Sequence, residues 1–182
     1  MIKKALVVVD MQNDFLDGVL GNERCLATVP EVVNLIRNGG YNAIIYSQDT
    51  HNEDYLSTQE GKRLPVIHCV KGTAGWELNP EVKEAINSYE LNKEGCVFNY
   101  EKNTFGGLVL TDILREDCFK DYDEIHFCGV CTGICVISNV VIAKATLPEV
   151  RLCVVDKACA CVTEETHATA KAAMLTCQVD II

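Results

Sequence analysis

The amino-acid sequence predicts an α/β fold, in which a mostly parallel sheet is covered by helices on both faces. Short β-branched runs recur along the 182 residues, and segments with helical spacing of apolar residues separate them. This alternation is typical of parallel strands joined by helical crossovers. No internal repeat or Pro/Ser-rich linker divides the chain, so we expect a single domain over residues 1–182.

The strand predictions follow the β-branched runs, and the helix predictions follow apolar spacing and end signals. Six strands are predicted, at residues 5–9, 43–46, 96–99, 124–128, 150–155 and 179–182. Five helices are predicted, at residues 31–37, 80–87, 108–115, 134–145 and 164–176. Residues 48–75 are polar and turn-rich, which predicts a long functional loop.

Composition excludes several functional classes. The net charge of −10 argues against nucleic acid, because phosphate binding needs clustered Lys and Arg. Only five apolar residues separate Lys4 from Asp10, too few for an export signal or a membrane span. The eleven cysteines are odd in number and are predicted to be reduced thiols. We therefore expect a cytoplasmic protein without a membrane partner.

Three chemically reactive residues lie at or after the ends of predicted strands. Asp10 ends the first strand, Lys102 follows the third by a few residues, and Cys135 opens the helix after the fourth. In open α/β sheets, ligands bind outside the carboxyl ends of the strands. The alternatives are an ordinary cap or turn role for Asp10 and a solvated surface position for Lys102.

Cys135 lies in the segment GVCTGICV, where a strand turns into a helix. The helix N-terminus predicts a lowered thiol pKa, and loop amides there are suited to stabilising an oxyanion. One alternative is that Cys128, Cys131 and Cys135 are buried apolar residues. A structural zinc site at the C-x-x-C of Cys128 and Cys131 is disfavoured, since no second ligand pair has finger-like spacing. Cys159 and Cys161 are expected to pack in the interior.

Five ordered motifs extend nearly the length of the chain: ALVVVDMQNDF, SQDTH, HCVKGTAGWEL, FNYEKNTFGG and CGVCTGICV. With them the sequence resembles the isochorismatase-like cysteine hydrolases, and most of all the nicotinamidases. The resemblance implies a three-layer α/β/α fold with a six-stranded sheet in the order 3-2-1-4-5-6. It also implies a cis peptide bond between Val130 and Cys131.

The resemblance further implies an amidohydrolase that converts nicotinamide to nicotinate and ammonia in NAD salvage. Cys135 would be the nucleophile, Asp10 would take its proton, and Lys102 would stabilise charge. The backbone N–H groups of Cys131 and Cys135 would form the oxyanion hole, and Phe15 would pack against the substrate ring. Isochorismatase activity is disfavoured, because members that cleave isochorismate lack this cysteine.

Two other functions stay open at this point. Residues 64–67, before His68, lack the aromatic residue common in nicotinamidases, so another small amide, a carbamoyl compound or a ureide is the nearest alternative substrate. The alternative from a different functional class is a binding module that keeps the fold but has no catalytic activity. The chain's small size is compatible with a homo-oligomer.

The resemblance also implies a divalent metal in the long loop, with zinc expected and iron or manganese as alternatives. Its ligands would be Asp49, His51, Glu60 and His68. The third ligand is the open point, because many relatives have a histidine where this loop offers Asp54, Ser57 or Glu60.

Overall fold

Six parallel strands form one sheet in the order β3-β2-β1-β4-β5-β6, as expected. The computed structural model describes residues 2–92, 95–116, 119 and 121–182. The strands are β1 (Lys4–Val9), β2 (Ala43–Asp49), β3 (Cys96–Lys102), β4 (Glu124–Val130), β5 (Arg151–Ala160) and β6 (Asp180–Ile181). Residues 5–9 of β1 are almost completely buried, as befits a central strand covered on both faces.

Helices cover both faces of this sheet, which confirms the predicted fold class. One layer contains α3 and α5 in mutual contact, and α6, α7 and α8 pack successively in the other. The helices are α1 (Asn13–Leu16), α2 (Glu23–Leu26), α3 (Val29–Asn38), α4 (Gln59–Arg63), α5 (Pro80–Leu91), α6 (Val109–Arg115), α7 (Ile137–Thr146) and α8 (Glu164–Thr176). Within the described ranges, no helix has the length and apolar character needed to cross a membrane.

Several predicted boundaries are wrong where strand pairing extends an element. The register of β2 with β3 continues to the pair Asp49 and Lys102, so both strands are three residues longer than predicted. Lys102 therefore ends β3 instead of following it. β5 continues to residue 160, five residues past the predicted end, because its last residues pair with β4 beyond a bulge.

The long segment 48–75 is more structured than predicted. It begins with the last two residues of β2 and contains a 3₁₀ turn, Tyr55–Ser57, and α4. Thr58 caps α4, since its hydroxyl accepts a hydrogen bond from the Gly61 N–H at 2.9 Å. The short helices α1 and α2 were also not predicted, because four residues carry too little periodicity to be recognised.

β1 and β4 lie side by side at the centre of the sheet, and their carboxyl ends meet there. Gly129 has a φ of +117°, and a Cβ at this position would lie 2.1 Å from the Val9 carbonyl oxygen. Only glycine therefore allows this approach of the two strands. The peptide bond between Val130 and Cys131 is cis, which confirms that expectation.

Candidate active site

Asp10, Lys102 and Cys135 meet at this central edge of the sheet. The Lys102 Nζ atom lies 2.6 Å from Asp10 Oδ2 and 3.5 Å from Cys135 Sγ. All three residues are buried. Lys102 is 92 positions from Asp10 and 33 positions from Cys135 in the sequence. The strand order brings their carboxylate, ammonium and thiol groups together. The catalytic roles of these residues stay predictions.

Asp10 is fixed by its backbone and by a serine of the neighbouring strand. Its φ of +50° lies in the left-handed region that few residues other than glycine adopt, directly after β1. The Ser47 hydroxyl donates to Asp10 Oδ1 at 2.6 Å. The other oxygen, Oδ2, forms the ion pair with Lys102 at 2.6 Å and has no further hydrogen-bond partner among the described residues. This leaves Oδ2 able to accept a proton from a nearby donor.

Lys102 remains an ammonium despite its burial. Burial lowers its pKa, but the charges of Asp10 and Asp49 outweigh that effect and raise the pKa well above the usual value. Asp10 has the opposite balance, because burial raises the pKa of its carboxyl more than Lys102 lowers it. The pair therefore combines a permanent cation with a carboxylate of increased basicity.

The expectation of a lowered pKa at Cys135 is wrong. Burial raises the pKa of this thiol well above its usual value, the Asp10 carboxylate adds to the increase, and Lys102 opposes it only in part. Cys135 also lies inside a π-helical turn, Thr132–Val136, that precedes α7, so it does not open a regular helix. At rest the sulfur is therefore a neutral thiol. The oxyanion role of the Cys131 and Cys135 amides stays a prediction.

A second group of side chains lies beside this one, at the end of β2 and in the segment after it. The side-chain donor atoms of Asp49, His51 and His68 lie within 4.8 Å of one another. Asp49 Oδ2 is 2.9 Å from His51 Nε2 and 3.5 Å from His68 Nε2. Glu60 Oε1 lies slightly further out, 3.9 Å and 4.0 Å from the same two nitrogens. The structure thus brings the four expected ligands together.

The chemistry of this cluster fits a divalent metal. His68 Nδ1 lies 2.8 Å from the Val66 carbonyl oxygen, which sets this nitrogen as a donor, and Nε2, directed at Asp49, is the nitrogen that would bind a metal in place of that contact. Burial raises the pKa of Asp49, but hydrogen bonds from His51 and His68 and the charge of Lys102 bring it well below the usual range. Asp49 is therefore a carboxylate. Mixed imidazole and carboxylate ligands suit zinc, iron and manganese.

Glu60 is better placed as the third ligand than Ser57. Its carboxylate reaches both imidazoles, as described above, whereas Ser57 directs its hydroxyl to the Asp54 carbonyl oxygen at 2.7 Å. Asp49 also connects the metal cluster to the thiol group, because its Oδ1 lies 3.4 Å from Lys102 Nζ. The two groups therefore form one continuous site.

Phe15 lies at the edge of this site. Its ring is half-buried and meets the His68 ring edge-on, with 5.5 Å between the ring centroids. Contact with a substrate ring stays a prediction for this residue. Tyr55 is a neighbour that the sequence did not reveal, and its buried ring packs against both His51 and His68.

Gln12 holds the Asp49 backbone in place, a role that was not predicted. Its Nε2 donates to the carbonyl oxygens of Asp49 and Trp76, both at 2.8 Å, and its Oε1 accepts from the Asp49 N–H at 2.7 Å. The residue is fully buried. The sequence feature that could have indicated this role is the cluster of polar residues that follows a continuous apolar strand.

A line of hydrogen bonds supports the turn that carries Cys135. The buried hydroxyl of Thr132 lies 2.8 Å from His167 Nδ1, and His167 Nε2 lies 2.9 Å from Asp156 Oδ1. Lys171 donates to the other oxygen of Asp156 at 3.0 Å. These residues come from β5, α8 and the π-helical turn, and no local sequence signal connects them.

Comparison with known proteins defines the class to which this fold and site belong. Residues 4–182 match the model of the isochorismatase domain. An uncharacterised isochorismatase family protein of Bacillus subtilis, PncA, is 33% identical over 179 residues, which cover 93% of this chain and 92% of that protein. The chain therefore belongs to the isochorismatase family of hydrolases.

Solved structures agree with this assignment. A crystal structure of the nicotinamidase/pyrazinamidase PncA from Bacillus subtilis covers 99% of each chain with a TM-score of 0.83 and 25% identity. The pyrazinamidase of Pyrococcus horikoshii, solved in complex with zinc, gives a TM-score of 0.77 at 25% identity. That match covers 99% of this chain and 98% of the other. The similarity thus includes the whole domain.

Proposed function

We propose that this protein hydrolyses nicotinamide to nicotinate and ammonia, with Cys135 as the nucleophile, as a salvage step toward NAD. The observation that carries the proposal is the buried contact of Lys102 with Asp10 and Cys135, at 2.6 Å and 3.5 Å. The named activities of the similar Bacillus and Pyrococcus proteins support the choice of a pyridine or pyrazine amide.

The first half of the proposed reaction forms a thioester. The thiol proton of Cys135 passes to Asp10 Oδ2 while Sγ bonds to the amide carbon, and the carbonyl electrons move to its oxygen. We assign the stabilisation of this oxyanion to the backbone N–H groups of Cys131 and Cys135. The fixed ammonium of Lys102 compensates the negative charge that develops near the sulfur.

The second half releases both products. When the oxyanion collapses, the carbon–nitrogen bond breaks, and ammonia leaves with the proton held by Asp10. A water molecule then attacks the thioester and gives a proton to Asp10. The carbon–sulfur bond breaks, the acid departs, and Sγ takes the proton back, which restores Cys135.

Metal binding at the adjacent cluster is the second part of this proposal. Asp49, His51, Glu60 and His68 would hold a divalent ion, zinc first, with iron and manganese as alternatives. When bound, such an ion supplies a Lewis acid that can accept the lone pair of a ring nitrogen. Phe15, edge-on to His68, would then pack against the ring and fix its plane.

Ammonia release from nicotinamide by the purified, metal-loaded protein tests the proposed activity. Cys135→Ala should reduce turnover by about 10³-fold or more, because the covalent step is lost. Cys177→Ala is the matched control, since this cysteine is exposed at the end of α8 and should leave turnover unchanged. Absence of turnover with nicotinamide, or equal turnover in Cys135→Ala, would refute the proposal. Turnover only with carbamoyl compounds or ureides would assign the alternative substrate class.

A further inference from the structure

We propose that Glu124, His126 and Cys153 form a second site for a divalent metal, zinc or another ion that binds thiolate, at the amino end of β4 and β5. The side-chain donor atoms of these residues lie within 4.8 Å of one another. Cys135 and the first metal cluster lie at the opposite, carboxyl end of the strands. The second site is therefore separate from the proposed amidase chemistry.

The sheet itself places the three donors on one face. Glu124 and His126 are two residues apart in β4, so their side chains point the same way. His126 is the register partner of Cys153 on the neighbouring strand β5. His126 and Cys153 are buried, whereas the Glu124 side chain keeps 14% of its surface exposed and gives access from solvent. All three donor side chains are thus attached to hydrogen-bonded strands, which hold their positions.

His126 is oriented as a metal ligand. Its Nε2 lies 2.8 Å from Glu124 Oε2, and its Nδ1 lies 3.0 Å from the hydroxyl of Tyr41. Without a metal, Nε2–H donates to Glu124 and Nδ1 accepts from the Tyr41 hydroxyl; a metal would displace the Nε2 proton, and Nδ1–H would then donate to that hydroxyl. A histidine ligand whose second nitrogen is held in this way is the usual arrangement in metal sites.

Glu124 is likewise held by residues around it. Arg151 Nη1 donates to Glu124 Oε1 at 2.7 Å, and Arg151 Nε donates to Asp180 Oδ2 at 2.7 Å. These contacts leave Oε2 directed at His126, and Asp180 balances the charge of Arg151. Such support of a carboxylate ligand fixes its position before a metal binds.

The charge and chemistry of the three donors match a zinc-like ion. Sulfur binds such an ion as a thiolate, so a cation at this site displaces the thiol proton of Cys153. One thiolate and one carboxylate then neutralise a divalent ion, and imidazole completes three ligands. A site with three protein ligands keeps a fourth position for water.

Sulfur distinguishes this site from the first metal cluster, whose four donors are nitrogen and oxygen atoms. Cobalt(II) titrated into the metal-free protein should therefore produce a thiolate-to-cobalt absorption band in the near ultraviolet that saturates at one thiolate-bound ion per chain. Cys153→Ser should abolish the band, and Glu124→Gln should weaken cobalt affinity by at least tenfold. Cys177→Ser and His68→Ala should retain it.

Several results of the cobalt titration would overturn the proposal. No band in the wild-type protein, or a band that persists in Cys153→Ser, would overturn the proposal. Loss of the band in His68→Ala would place the sulfur ligand at the other cluster and would also overturn it. If Cys153→Ser does not fold, Glu124→Gln decides, because its side chain is near the surface. Unchanged cobalt affinity in that variant would refute the site.

Discussion

Replacing Lys102 by methionine removes the cation that compensates two buried carboxylates. The ammonium lies 2.6 Å from Asp10 Oδ2 and 3.4 Å from Asp49 Oδ1, and only 1% of the lysine side chain is exposed. Methionine retains much of the aliphatic stem, so the change isolates the charge from the packing. We expect Lys102→Met to lose both stability and turnover.

The expected loss of stability is large because the partners cannot reach water. Removing one member of a buried ion pair costs about 3–5 kcal/mol. For a domain of this size, each kcal/mol lowers Tm by about 2–4 °C. Protonation of Asp10, whose pKa burial already raises, relieves part of the cost. We therefore take the lower end of the energy range, about 3 kcal/mol, and expect the Tm to decrease by about 6–12 °C.

Thermal denaturation and ammonia release together test this reasoning. Lys71→Met is the matched control, because Lys71 is 57% exposed and its ion pair with Glu101 contributes about 1 kcal/mol or less. Turnover in Lys102→Met should fall by about 10²-fold or more. The double variant Asp10→Asn/Lys102→Met should regain part of the Tm without regaining turnover. A Tm for Lys102→Met that matches the Lys71→Met value would refute the argument.

Four further predictions concern pH, positioning, metal and thiol reactivity. Burial raises the pKa of Asp156, but the neighbouring lysine and histidine of α8 outweigh it and lower the pKa below the usual range. Its stabilisation is therefore present at neutral pH and lost in acid, so the Tm difference between wild type and Asp156→Asn should shrink below about pH 4. Thr132→Val should reduce kcat about fivefold without changing KM, and an unchanged kcat would exclude a positioning role. Chelation of bound metal should lower the Tm of the wild type by about 5 °C or more and that of His68→Ala by less, whereas equal decreases would contradict the ligand assignment. Asp10→Asn should shift the alkylation of Cys135 to lower pH by about one pH unit or more, measured by mass spectrometry, and a shift to higher pH would contradict the effect assigned to the carboxylate.

Local patterns were sufficient for the fold class and indicated Asp10 and Cys135 as candidates, whereas the full set of candidate site residues depended on the family resemblance. Asp10 follows an uninterrupted apolar strand, and Cys135 follows a glycine-bearing turn, so each stands out within a few residues of sequence. Because parallel strands place their carboxyl ends at one edge, the alternation of strands and helices already predicts that such residues meet. The observed strand order confirms that inference.

Features that depend on distant parts of the chain could not be predicted. The extension of β2 and β3 to Asp49 and Lys102 reflects pairing between two strands, which neither segment reveals alone. The bond from Thr132 to His167 joins residues 35 positions apart. The sign of the pKa change at Cys135 was wrong for the same reason, because burial and a carboxylate from another strand outweigh the local helix terminus.

The charges of the site explain why the thiol can rest protonated before a metal binds. Among the described residues, Asp10 and Asp49 share the ammonium of Lys102, so a thiolate would add a third negative charge beside one cation. In the proposed mechanism, sulfur acquires charge only as its bond to carbon forms and its proton leaves. Asp10 is suited to take that proton, because burial makes its carboxyl more basic than that of an exposed aspartate. In the proposed mechanism, the same burial that disfavours the free thiolate thus raises the basicity of the carboxylate that takes the thiol proton.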